Sequence, residues 1–569
     1  MSISISKAVR TFKPATGPAF EPAEEEYERS VATPNLLYRF ARPDLVLQPE
    51  TYEHVQEIVK EAKERGIHLV IKCGGHSFAG YSTAAKTPEF LNVVSLDLRR
   101  MNKARLDSQV DPKAVTMAAG CQWGHVYRLL VNGHHDKKIV NGGRCPFVGT
   151  SGLVLGGGLG PFSRSIGMCC DDLKEAKIVT ANGDLITVND SDDPESDKGK
   201  LLWALRGAGT GNFGVVVEMT MAVKELSSPT VVAGRYEWLA GTGKADLFEL
   251  PDDQFLRTMR EFYVAAWPNT LTIDSTWMCD LRSSSGNGVR FLSYFDGSKP
   301  DFDKIIGEHI QHKDLAAQLK ERSLSEPSTQ FLHETLVFQW SEETIRAFPE
   351  NRTFSIYSSF IFDKERTTID QVTKTIRDEM RIFRSTYNKG ERVAFFASFI
   401  HSGGSMQGVH PGSAYFWRDA AYHVYLTFEW VDKWMADAMH KSLKKVTTLL
   451  RPHSLGNGTA SYINFPDRSL GELPNETHEK AYFGDHLEKL RNVKQQWDPN
   501  NFFRWPQGIS QPRGRGEGIP ETIALEESAV VSTGMLVAGF LLSQACTGIN
   551  TRPRVSRATS TSLPTWTYE

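Results

Sequence analysis

From Thr51 onward the apolar positions Val55, Ile58, Val59 and Ala62 recur at helical spacing and stop at Gly66, the pattern of a helix with one buried face. The short apolar run "IHLVIK" that follows predicts a buried strand. Further strands are expected at "NVVSLDL" and "AVTMAAG", a helix at "WGHVYRLLV", and a hairpin over "AKIVTANGDLITV" turning on Asn182-Gly183. Up to about Val223 the pattern is mixed α/β. From about Lys224 to Arg451 it changes to alternating strands, such as "TLTIDSTWM", "GVRFLSYF" and the aromatic "AYHVYLTFEW", with an amphipathic helix at "TTIDQVTKTIRDEMRIF". That pattern predicts a sheet with helices on one face. A helix over "HEKAYFGDHLEKLRNVKQQW" then precedes "DPNNFFRWPQGI".

The two ends of the chain read differently. Residues 1–35 are polar and are expected to form a loosely packed arm. Residues 511–569 begin "QPRGRGEG" at Gln511 and carry an apolar run, Ala529 to Ala545, interrupted by Ser532, Thr533, Gly534 and Ser543. The run is a little short for a membrane span, so membrane association is not expected and the tail reads as a poorly ordered appendage.

At 569 residues the chain exceeds one hydrophobic core and should hold two or three domains. A formal net charge of -3 with no long basic run disfavours nucleic acid or acidic membranes as partners and favours a small molecule. Seven cysteines, an odd number thinly spread, make a disulfide framework improbable. The start "MSISISKAVRTFKPATG" has no apolar core of a secretory signal, so an intracellular protein is expected. The sequons at Asn189, Asn351, Asn457 and Asn475 would matter only in an exported chain.

Three glycine clusters change the picture: Gly74-Gly75, Gly142 to Gly160, and "GAGTGNFG" from Gly207 to Gly214. Without a Cβ, backbone can come close to a flat or phosphorylated ligand and aim its N–H groups at it. One such loop marks a turn; three within 140 residues suggest a long ligand. A Rossmann site is disfavoured, because "GGGLG" lacks the G-x-G-x-x-G spacing and no acidic residue follows at a strand end. "AGTGKAD" fails as a phosphate loop, with Trp238 and Ala245 where Gly and Ser/Thr are needed. Cys73 and His76 have C-x-x-H spacing but no second ligand pair, so no metal site is expected.

The ordered motifs "RPDLVLQPETYEHVQEIVKEAKERG", "CGGHSFAGYS", "GGRCPFVGTSGLVLGGGLG", "LLWALRGAGTGNFGVVVE", "YINFPD" and "WDPNNFF" resemble those of berberine bridge enzyme-like flavin oxidoreductases, in the vanillyl-alcohol oxidase / p-cresol methylhydroxylase (PCMH) superfamily. The resemblance covers about residues 36 to 510. It implies an α+β protein: a PCMH-type FAD-binding domain of two α/β subdomains (36–223), and a substrate domain (224–450) with an antiparallel sheet covered by helices on one face. The segment 451–510 would complete the FAD domain. It also implies that FAD is bicovalently held, by His76 at the flavin 8α carbon and by Cys145 at C6. Gly74, Gly75, Ser77, Gly143, Val148, Gly149, Ser151, Gly152, Gly156, Gly157, Gly160, Asn212, Val216 and Asn464 would complete the cofactor site. Each attachment needs a neutral imidazole or a thiolate held close to an electron-poor ring.

The same resemblance places Val148 where oxidases carry valine and many dehydrogenases a bulkier leucine, which favours O2 as the electron acceptor. On the substrate side, "AYHVYLTFEW" alternates so that His423, Tyr425 and Thr427 share one face, and "YINFPD" supplies Tyr462 and Asn464. Tyr462 is the expected base, with Tyr425 its partner and His423 a source of charge. A free phenol titrates near 10, so a base at neutral pH needs its phenol drawn down to about 7. The expected activity is oxidation of a small organic substrate (an alcohol, sugar or specialised-metabolite intermediate), with H2O2 as by-product. A dehydrogenase using another acceptor and a non-catalytic flavin-binding scaffold are the alternatives.

Overall fold

The structure is a computed structural model in which residues 12, 17–33, 35–83, 92–239, 252–282, 286–340, 353–387, 390–470 and 477–512 are described. The apolar run at 529–545, the tail from 513, Cys546 and the sequon asparagines Asn351 and Asn475 lie outside the described residues.

The first sheet has four strands in the order Ala19–Phe20, Leu45–Leu47, Val93–Asp97, His68–Lys72. The last three are parallel, and the helix Tyr52–Glu64 makes the crossover. Thr51 starts that helix by accepting a hydrogen bond from His54 N–H, and Val55, Ile58, Val59 and Ala62 form its buried face. The strand His68–Lys72 delivers the chain directly into the first glycine loop.

A second sheet runs Ala104–Leu106, Ala114–Ala118, Val215–Glu225, Leu173–Val179, Leu185–Asn189, with Lys138–Val140 paired to the far end of Val215–Glu225. Its hairpin closes where Thr180 N–H donates to Asp184 O and Gly183 takes a positive φ. The third sheet is antiparallel, in the order Ser323–Pro327, Thr230–Leu239, Gly286–Phe295, Leu271–Asp280, Val393–His401, Tyr422–Trp430, Phe354–Phe362. Side-chain alternation splits its two faces. Val424, Leu426 and Phe428 pack with Ile369, Ile376 and Met380 of the helix Arg366–Thr386. Tyr425 packs with Val154, Tyr415 and Tyr462 on the opposite side.

Two elements depart from the sequence pattern. Residues 17–33, polar enough to predict a loose arm, are packed: Ala19–Phe20 pairs with Val46 and Leu47, and the buried Tyr27 donates to Pro43 O at 2.7 Å. The helix after His478 is broken into His478–Phe483 and Leu487–Trp497. Gly484 is the break, with φ +50° and the Phe416 ring filling the space where a Cβ would stand. The second half of that pair, with Ala460, Tyr462 and Ile509, shares one core with Val154, Leu155 and Leu205. Buried Lys494 fastens it, donating to Asn212 O, Phe503 O and Asp498 Oδ2 at 2.5–2.6 Å. Among the described residues no helix is long and apolar enough to cross a membrane.

Candidate active site

The first two glycine loops touch. A Cβ on Gly74 would lie 2.4 Å from Gly149 N, and one on Gly149 would lie 2.5 Å from Gly74 N, so only glycine at both positions allows this approach. His76 follows two residues later, after Gly75 in a left-handed conformation. Among the described residues no group hydrogen-bonds the His76 ring, and burial draws its pKa down to about 4. It is a neutral imidazole at neutral pH, the state in which a ring nitrogen is a nucleophile. The loop closes where Ser77 Oγ accepts from Tyr81 N–H at 3.1 Å.

The second loop is held rigidly around Cys145, which is 5% exposed. Tyr127 Oη donates to Gly143 O at 2.6 Å, and Gly160 packs against Gly142 O. Arg144, next to the thiol, is buried and bidentate to Asp274 of the third sheet, with Nη2 to Oδ1 at 3.1 Å and Nε to Oδ2. Its Nη1 donates to Leu159 O at 2.5 Å. Partly exposed Val148 links the loop to a helix through Trp123 N–H, which donates to Val148 O at 3.1 Å. Ser151 Oγ donates to Ala119 O at 2.9 Å, and Gly152 faces open space. Gly156 lies against the side chain of Asn464, and Gly157 against the Tyr415 ring.

The third cluster also fastens the C-terminal segment. The Asn212 side chain is committed to the protein: Nδ2 donates to Ala208 O, and Oδ1 accepts from Trp505 Nε1 and Ile509 N–H at 3.1 Å each. Asn212 anchors the C-terminal segment, with one of its two amide N–H groups committed to Ala208 O. Val216 is a buried strand residue registered opposite Ile178.

Tyr462 brings the parts together. Its phenol oxygen accepts from Gly158 N–H at 2.8 Å and from Asn464 Nδ2 at 3.0 Å; Asn464 Nδ2 also donates to Leu153 O. Its ring packs edge-on to His423, Tyr415 and Phe465, with centroids 4.9, 5.9 and 5.1 Å away. Tyr425 meets the same Phe465 at 4.5 Å and Phe78 of the His76 loop at 5.7 Å. Phe465 thus stands between the two tyrosines expected to be partners.

The expected electrostatics are corrected at two residues. Burial pushes the Tyr462 phenol well above its ordinary range in the chain alone, against the pull of its two N–H donors. His423 is no source of charge. It is fully buried, and burial with the fields of Arg144 and Arg418 draws it down to about 3, so it is neutral. Its Nδ1 lies 2.6 Å from Ser402 Oγ and its Nε2 2.5 Å from Tyr415 Oη. Ser402 Oγ also lies 3.2 Å from Ile400 O. One assignment satisfies every donor: Tyr415 donates to Nε2, Nδ1–H to Ser402, and Ser402 to Ile400 O.

Tyr415, Ser402 and the Arg144–Asp274 pair are absent from the sequence reading. Arg144 stands beside Cys145 in "GGRCP" and was legible as a charge next to a thiol. Tyr415 lies in a loop without periodicity and gave no signal. The Cys169-Cys170 pair is fully buried, and burial pushes the Cys170 thiol up to about 12, as suits packing groups.

These residues fit a flavin dinucleotide. The glycine contact builds a cradle, and Trp123 Nε1 and Thr150 Oγ1 at the second glycine segment and Thr210 Oγ1 in the third are buried without a hydrogen-bond partner among the described residues. Such orphaned polar atoms are costly unless a ligand or water meets them.

Comparison with known proteins agrees. A family model described as an FAD binding domain matches residues 43–189, and one described as "Berberine and berberine like" matches 461–510. Berberine bridge enzyme-like 9 of Arabidopsis thaliana is 24% identical over 520 residues, covering 86% of this chain and 88% of that protein. Xylooligosaccharide oxidase of Thermothelomyces thermophilus is 26% identical, covering 82% and 87%. Solved structures of the grass pollen allergen Phl p 4 superpose with TM-scores of 0.70 and 0.71 at 19% and 18% identity, covering 89% of this chain and 99% of theirs. One of these variants is described as a glucose oxidase; another, lacking its isoleucine-to-valine exchange, is described as a glucose dehydrogenase. With an FAD-binding domain ahead of the third sheet and a berberine-like segment after it, the chain carries both family domains of the berberine bridge enzyme-like FAD-linked oxidoreductases and is similar over most of its length to proteins so named.

Proposed function

We propose that the chain is an oxidase that removes a hydride and a proton from a small organic substrate, holds FAD through both His76 and Cys145, and passes the electrons to O2 as H2O2. Bound FAD supplies the two-electron acceptor. The remaining chemistry belongs to the polypeptide. His76, neutral and without a hydrogen bond from the described residues, and Cys145, fixed beside the Arg144–Asp274 pair, are the two attachment points.

The observation that carries the reading is the pair of N–H donors on Tyr462 Oη. A phenol oxygen that accepts from both Gly158 and Asn464 turns its own proton away from them, and once ionised it keeps both donors. Tyr462 is the residue that takes the substrate proton. Burial keeps it protonated at rest, so its basic form is favoured as pH rises.

The substrate-facing side of the sheet supports a hydroxylated ligand. Ser398 is registered opposite Tyr425 and Thr276 opposite Ser398, their hydroxyls 3.1 Å apart. On the same face Thr427 Oγ1 is buried without a hydrogen-bond partner among the described residues. A sugar or polyhydroxylated metabolite matches such a surface better than a purely apolar ring system.

Val148 supports O2 as acceptor, because a small side chain beside the second loop leaves room for a diatomic gas. The two Phl p 4 variants, separated in description by one isoleucine-to-valine exchange, support the idea that one aliphatic side chain decides the acceptor. The test is to reduce the purified yellow protein anaerobically with candidate sugars and then admit O2. One H2O2 per flavin supports the oxidase. Reduction without peroxide makes the chain a dehydrogenase, and no reduction by any substrate makes it a scaffold.

A further inference from the structure

We propose that Arg468 is a latch that positions the His76 loop for attachment to the flavin. This rests on the covalent reading above and adds a residue to it. Arg468 comes from the C-terminal segment, and its Nε donates to Ala79 O at 2.9 Å, three residues past His76. Its guanidinium lies between two rings, 4.6 Å from the Tyr38 centroid and 5.0 Å from that of Tyr81. Tyr81 packs edge-on to Trp505 at 5.1 Å, and Trp505 Nε1 donates to Asn212.

Tyr38 approaches from the N-terminal side and fills the space beside Gly80, whose φ is +73° and where a Cβ would lie 2.3 Å from the ring. The start of the loop is pinned separately. Gly74 is fixed against Gly149, and Lys72, just before it, donates to Ser30 O. Between the pins lie only Gly75, His76, Ser77 and Phe78. Phe78 is stacked on Tyr357 at 4.6 Å. An early segment, through Tyr38, and a late one, through Arg468, therefore converge on the segment that carries the histidine.

The attachment replaces one C–H bond of the flavin 8α methyl and one imidazole N–H by a single N–C bond. The two protons and two electrons released reduce O2, the acceptor of the proposed function, to H2O2. Its rate depends on how long the imidazole is held in attacking position, which is what a pinned loop provides. Arg468 is itself exposed, so removing it leaves no buried charge behind.

The test uses the full-length protein as expressed, denatured and digested, with flavin-bearing His76 and Cys145 peptides quantified by mass. Arg468→Ala is expected to lower His76-linked flavin at least about fivefold while Cys145-linked flavin stays at the parent level. Tyr38→Leu, which removes one face of the sandwich without touching the charge, should show a smaller loss of the same kind. Arg468→Lys, which keeps a cation between the rings, should restore most of it.

Parent-level His76 attachment in Arg468→Ala overturns the latch alone. Equal loss of both links in Arg468→Ala and Tyr38→Leu also overturns it, since the effect would then be on the fold and not on this loop. A parent protein with no flavin on His76 overturns the covalent reading, and the latch with it.

Discussion

The phenol oxygen of Tyr462 lies 2.8 Å from the backbone nitrogen of Gly158, 304 residues earlier in the chain. The contact ties the berberine-like segment to the second glycine loop at the atom expected to handle the substrate proton. It also means that a substitution at Tyr462 has two separable effects, on chemistry and on the loop.

Tyr462→Phe should retain the flavin and slow its reduction by substrate by about 10²- to 10⁴-fold, the range for loss of a positioned acid–base group. Loss of the acceptor for Gly158 N–H and Asn464 should also cost about 1–3 kcal/mol of stability. Stopped-flow absorbance measures the first effect and thermal unfolding the second. Reduction at the parent rate would remove Tyr462 from the mechanism.

In the parent, flavin reduction should accelerate as pH rises into the alkaline range, because burial raises the Tyr462 phenol and only its ionised form accepts a proton. The acceleration should vanish in Tyr462→Phe. A parent profile flat above neutral pH contradicts this.

His423 gives a stability prediction of opposite reach. Its folded pKa is drawn down to about 3, whereas the unfolded imidazole titrates near 6.5, so between these values the unfolded chain binds the extra proton. Stability is complete above pH 6.5 and declines as pH falls toward 3. His423→Asn removes this term. The gap in melting temperature between parent and variant should therefore narrow on acidification, and a widening gap would show that His423 is charged in the fold.

Asp274→Ala leaves Arg144 buried without its carboxylate, and should destabilise the protein by about 3–5 kcal/mol. Because Arg144 adjoins Cys145, the variant should also lose flavin at the cysteine in preference to the histidine, measurable by peptide mass. An unchanged unfolding midpoint would contradict the account of this pair.

What could be read from the sequence depended on whether the signal was local. The face Val55, Ile58, Val59, Ala62, the hairpin on Asn182-Gly183 and the alternation of His423, Tyr425 and Thr427 are set by neighbours in sequence, and the structure has each of them. The break at Gly484 is set by Phe416, and the packing of Tyr27 by Pro43 and Val46, contacts that no window along the chain contains. The site divides in the same way. Glycine loops advertise themselves by composition, but the neutral state of His423 follows from Ser402, Tyr415 and complete burial. Tyr415, a phenol touching both His423 and the second loop, is a product of tertiary folding alone.

The account stands on the flavin being bonded to His76 and to Cys145. The direct measurement is the mass of the two tryptic peptides that contain them, taken from acid-precipitated, full-length protein. A yellow precipitate whose digest holds the two peptides joined through one flavin, as a single species, is the expected result. A colourless precipitate with both peptides at their unmodified mass, and all FAD in the supernatant, would contradict it.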